Sequence, residues 1–332
     1  MVQRNVRLAH RLLSRPLQQA LPDIRMAGMA YPALFAYNRL AQQTLQAGCE
    51  VIIADNVSHF YHYSEKMYWG AEDFPNQRLP FENVFVEWTI PDKIFVNTVD
   101  KDWKFQKTKE WHEVSIKGTM CGCLIHEEEA DPKIAVIAPP GPMRTEILKL
   151  TNDSEYVWIC VHYTAAAGEV KNTGVNFKFI RDGQCWQTVA CWSQHILASG
   201  FIKENPSQLT EFDNIPCLTV SFLNTKGTEV VKPPEDMVPT EKQSRKMKVK
   251  GIEYKILHVR GMADVIKQEK ERAPANGDQE KLKKRLHIVR GHFATYTKEK
   301  PLFGKYDGTF WKTSHTRGSS DVGEIRKDYS VG

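Results

Sequence analysis

The sequence predicts an α+β fold, with helices toward the N terminus, a central antiparallel β-sheet and a small antiparallel β module at the C terminus. Three observations predict it. Apolar residues early in the chain recur at helical spacing, whereas from Phe81 onward they alternate at the period of a strand. The dipeptide Asp182-Gly183 divides two alternating runs and supplies the positive φ values that a tight hairpin demands.

The first 15 residues or so read as an amphipathic helix closed by Pro16, with Val6, Ala9 and Leu13 on one face and Arg4, Arg7, Arg11 and Arg15 on the other. Its apolar stripe suits the body of the protein, and its arginines suit a partner. A second helix is predicted over about 33–47, where Leu34, Tyr37, Leu40, Ala41 and Leu45 stay in register and Gly48 follows as a C′ residue. CEVIIAD then reads as a buried strand. HFYHY at 59–63 has the composition of a core stripe, in which His59 and His62 find structural partners.

FENVFVEW, VSIKGTMCGCLI, KIAVIAPP and YVWICVHYTAA follow as strands, and FKFIRDGQCWQTVACW as the clearest hairpin. Glu127, Glu128 and Glu129 read as an exposed loop. A short helix is predicted before Pro216 and a strand, CLTVSFL, after it. These readings divide the chain into an α+β body over 1–230, a charged Pro-containing linker over 231–252, and a basic β module over 253–332. Within the module a charged, mobile insertion is expected near 266–284.

With 332 residues the chain can form two domains or one large one, and 41% hydrophobic with 26% charged residues excludes wholesale disorder. No apolar run approaches the roughly 20 residues of a membrane span, so membrane insertion is not expected. The seven cysteines lie mostly in strand-like segments behind no hydrophobic leader, which favours reduced thiols and a cytoplasmic location. Cys121 and Cys123 form CGC, too closely spaced for a zinc knuckle and without a matching second pair, so no metal is expected. GxxxxGK[ST], GxGxxG after a strand, HExxH and GxSxG are all absent, and APPGPMR at 138–144 puts proline where phosphate-cradling amides would be needed. No cofactor is expected.

Charge is uneven along the chain. Residues 241–332 carry 22 Lys+Arg against 12 Asp+Glu, a net of +10, so the total of +5 leaves −5 for residues 1–240. An anionic partner is drawn to the C-terminal part. There RLHIVRGHFATYT and GTFWKTSHTRG alternate as strands. Arg290 and His292 share one face of the first, and Trp311, His315 and Arg317 share one face of the second. If the two strands pair, two histidines and two arginines converge.

Arginine clamps phosphate bidentately, and histidine gives or takes a proton near neutral pH. The candidate catalytic residues are therefore His292, His315 and Tyr329; the candidate anion-binding residues are Arg290, Arg317, Lys312, Arg285 and Trp311. Phe293, Tyr296, Phe303, Tyr306, Phe310 and Trp311 offer faces for base stacking. The competing reading is that the aromatics fill a small core while His and Arg satisfy turn carbonyls.

The order RLHIVRGHF, PLFGKYDGTFW, SHTRG and KDYSV resembles the C-terminal signature of a family of proteins encoded by tailed bacteriophages and related mobile elements. The likeness is strongest over 255–331 and has a looser echo in LPFENVFVEW at 79–88. It implies a phage protein acting in the bacterial host cytoplasm, and it implies no particular activity.

Three functions follow in order of expectation. The first is binding of an anionic partner, nucleic acid foremost, through the basic C-terminal module, with affinity that falls as salt rises. The second is a host-interaction protein that inhibits a bacterial protein. The third is a metal-independent ribonuclease-like enzyme working through His292 and His315.

Overall fold

The computed structural model describes residues 6–14, 31–63, 73–99, 105–113, 118–133, 142–166, 169–192, 207–249, 251–259, 287–289, 291–302, 305–312 and 315–317. Arg4, Arg15, Pro16, IAVIAPP at 134–140, the insertion near 266–284, Arg285, Arg290, Phe303, Tyr329 and GEIRKDYSV lie outside them.

Helices and a mixed sheet of eight strands form an α+β fold. The first crossover is β1 (Glu50–Ile53), α3 (Asp55–Tyr63) and β2 (Asn83–Thr89); a helix between strands returns the chain to the same end, so β1 and β2 pair in parallel. Meander pairing continues through β5 (Met120–Glu129), β6 (Tyr156–Ala166), β7 (Glu169–Arg181) and β8 (Gln184–Trp192), all antiparallel. Asp182 and Gly183 turn β7 into β8 with φ of 55° and 70°, the double positive φ expected of this dipeptide. Between β2 and β5 the chain forms a separate ribbon of β3 (Lys93–Val99) and β4 (Phe105–Glu113).

Two segments depart from the sequence reading near the C-terminal part. The stretch 231–252, expected as a linker, follows β9 (Thr228–Val231) and contains a 3₁₀ turn and α6 (Glu241–Met247). Thr240 and Gln243 close a capping box on α6, and Val249 is buried. β10 (Tyr254–Val259), grouped by sequence with the basic module, lies inside the large sheet, parallel to β1 and antiparallel to β9. The central sheet is thus mixed rather than purely antiparallel, because β1 runs parallel to both of its neighbours, β2 and β10.

Helices cover both faces. On one side α1 (Leu8–Leu13), α2 (Tyr31–Ala47) and α4 (Pro142–Thr151) bury Leu8, Leu12, Tyr37, Ala41 and Ile147 against Val51, Phe85, Ile159, Tyr163 and Phe177 of the sheet. On the opposite side α3 and α5 (Ser207–Leu223) cover Ile52, Val86, Trp88, Cys123 and Trp158. Alternation along β1 and β5 sends successive side chains to opposite layers.

α5 corrects a further expectation. It runs as one helix through Pro216, where a helix and then a strand were read. The proline ring removes one backbone donor, yet Ile215, Leu218, Val220 and Phe222 around it are fully buried, so apolar burial outweighs the β-branched propensity of CLTVSFL. Glu127 also departs from the exposed-loop reading: it lies in β5 and accepts from Trp158 Nε1 at 2.9 Å, the Leu79 amide at 3.0 Å and Arg78 Nε at 3.0 Å.

Candidate functional site

The C-terminal hairpin is built from β12 (His292–Tyr296) and β13 (Gly308–Lys312), with β11 (His287–Val289) and β14 (His315–Arg317) paired beyond it. Both ladders keep one register: His292 stands opposite Lys312, and five residues further back His287 stands opposite Arg317. His315 stands opposite Val289, three places from His292, so these two histidines hold register positions of opposite parity. The register thus gives no support among the described residues to a two-histidine cleavage site.

Alternation divides the aromatic residues of the hairpin into two sets. Phe293 and Trp311 face the body, 4.9 Å apart between ring centroids, and Trp311 meets Phe60 at 5.2 Å and Phe222 at 5.3 Å. Trp311, expected as a stacking platform, is engaged with α3 and α5. Thr309 fastens the same side: its carbonyl accepts from the Lys226 amide at 2.9 Å and its hydroxyl from Asn76 Nδ2 at 2.7 Å.

The other set comprises Tyr296 and Phe310, edge to face at 6.0 Å and half-buried. Lys312 Nζ lies 5.0 Å from the Tyr296 ring and Lys226 Nζ 5.8 Å from the Phe310 ring. His292 is exposed on the same side, and the connection to β13 adds exposed Lys298, Lys300, Lys305 and Tyr306. A surface of half-exposed rings bordered by ammonium groups can take bases on the rings and phosphates on the lysines.

A second polar centre was not visible in the sequence. Arg7, expected on an outward arginine face, is buried: its Nε meets Glu87 at 2.7 Å and its Nη2 meets Asp55 at 3.0 Å. Burial opposes the Arg7 charge, but Glu87 and Asp55 outweigh it and hold the guanidinium above its usual range. Glu87 also accepts from the Ala9 amide at 2.8 Å. His10 stands beside this centre, bonded to Tyr254 Oη at 2.7 Å and Ser244 Oγ at 2.9 Å, and burial lowers its pKa to about 4. It borders a cavity of about 420 Å³ lined by Val231, Pro233, Pro239 and Ile252. Only Arg7 was legible as chemistry, because partners 48 and 80 residues away have no local signature.

A third cluster lies under α5. Cys123, Cys160 and His162 bring their ligand atoms within 4.8 Å of one another, all buried. Lys178 Nζ pairs with Asp213 Oδ1 at 3.3 Å, and Asn176 Nδ2 donates to the same carboxylate.

These features define an α+β protein with a mixed eight-stranded sheet and a docked basic hairpin. No family model and no curated protein matches the sequence. Among solved structures, the crystal structure of AcrVA2 is similar at 12% identity and a TM-score of 0.29, over 85% of this chain and 76% of that one. A likeness of that size carries no argument about function.

Proposed function

We propose that this chain is a phage-type protein that binds nucleic acid, single strands foremost, through the outward side of β12 and β13. Bases lie against Tyr296 and Phe310, and phosphates meet Lys312, Lys226 and the lysines of the connection. The observation supporting this reading is the division of the hairpin, in which Phe293 and Trp311 secure it to the body while Tyr296 and Phe310 remain half-exposed beside lysines. Among the described residues, no helix is long and apolar enough to cross a membrane.

The test is fluorescence-anisotropy titration of labelled single-stranded RNA and duplex DNA across a salt series, with chelator present and the recovered strands run on a gel. Salt-sensitive binding that Tyr296→Ala and Lys312→Ala weaken supports the reading. Absence of binding at low salt overturns it, and a nuclease-resistant complex with a bacterial protein would replace it with the host-interaction function.

A further inference from the structure

Strand pairing places three soft or borderline donors in one dry space. Cys123 on β5 stands directly opposite His162 on β6, and Cys160 lies two residues before His162, on the same side of β6. The Cys123 Sγ to His162 Nε2 distance is 3.9 Å. Donors roughly 2.3 and 2.0–2.1 Å from one zinc ion stand about 3.6 Å apart in a tetrahedron, so the observed spacing needs only a small closure. Both donors sit on paired central strands, which hold ligands more rigidly than loops do.

We propose that Cys123, Cys160 and His162 bind one Zn²⁺ ion in the core of the protein. Binding releases the two thiol protons to solvent and forms two zinc–thiolate bonds and one zinc–imidazole bond, with no change of oxidation state. Two thiolates balance the charge of the ion, and Lys178 is already balanced by Asp213. Asn176, opposite Cys160 across the β6–β7 pairing, donates to Asp213 and so ties the strand beside the donors to the Lys178–Asp213 pair. A water or the thiol of Cys217, which is buried in the same core layer, fills the fourth position.

The measurement is metal content of the purified full chain after dialysis, followed by cobalt substitution. About one zinc per chain is expected, together with a thiolate-to-cobalt absorption in the near ultraviolet. Cys160→Ala should lose more than roughly tenfold of the bound zinc, whereas Cys121→Ala, equally buried in the same strand layer, should retain it; circular dichroism confirms that each variant is folded. Folded wild type without zinc, copper in its place, or Cys160→Ala holding zinc as well as wild type would each overturn the proposal.

Discussion

Gly291 and Trp311 compete for one space: a Cβ atom at position 291 would stand 2.6 Å from Trp311 Cζ2. Gly291 before β12 is therefore a packing requirement of the hairpin, since a side chain there would displace Trp311 from its place against Phe60 and Phe222.

Gly291→Ala is expected to destabilise the protein by about 1–3 kcal/mol through overpacking. Urea denaturation measures the loss, and combining it with Trp311→Leu should restore part of it. Additive losses in the double variant would show that the two positions do not share this space.

Removing one member of the Arg7 centre leaves a buried carboxylate without its counter-ion. Arg7→Met should cost roughly 3–5 kcal/mol, and Arg7→Met with Glu87→Gln should cost less, because Gln still accepts from the Ala9 amide. Thermal and urea unfolding of both variants check the order.

His10 makes stability depend on pH. Its folded pKa of about 4 lies below the unfolded 6.5, so the unfolded chain takes up the proton first. Its contribution is full above pH 6.5 and declines as pH falls toward 4, by roughly 3 kcal/mol at most. Its ring is bonded to Tyr254 and Ser244, and Tyr254 in turn lies within the influence of Glu87 and Arg7. Unfolding free energies from about pH 7 to 4 should flatten in His10→Gln; an unchanged slope would refute the assignment.

On the outward side of the hairpin, Tyr296→Ala and Phe310→Ala should each weaken single-strand binding by roughly 1–3 kcal/mol. Lys312→Ala should reduce the salt slope by about 0.7 for a single strand. Neither effect should accompany a loss of folding, since this side is not the one packed on α3 and α5.

Several elements were legible because their signals are local. The 33–47 periodicity with Gly48 marks α2, YVWICVHYTAA marks β6, and Asp182-Gly183 marks the β7–β8 turn. Thr240 and Gln243 spell a capping box that the density of Pro and Lys around them obscured. CGC has a packing explanation that its spacing could not show: Gly122 faces α1, where a Cβ would stand 2.6 Å from Leu8 Cδ2, and its two neighbours face the other layer.

Local signals were enough to specify the α+β class, the early helices, most of the meander strands and the concentration of positive charge toward the C terminus. Those follow from periodicity, turn residues and composition, all read within a few positions of one another. Long-range packing sets β10 inside the main sheet, buries Arg7 against Glu87, turns Trp311 inward and brings Cys123 to His162. Each of these joins segments distant in the chain, and which side of a helix or strand is buried depends on the layer it meets rather than on its own pattern.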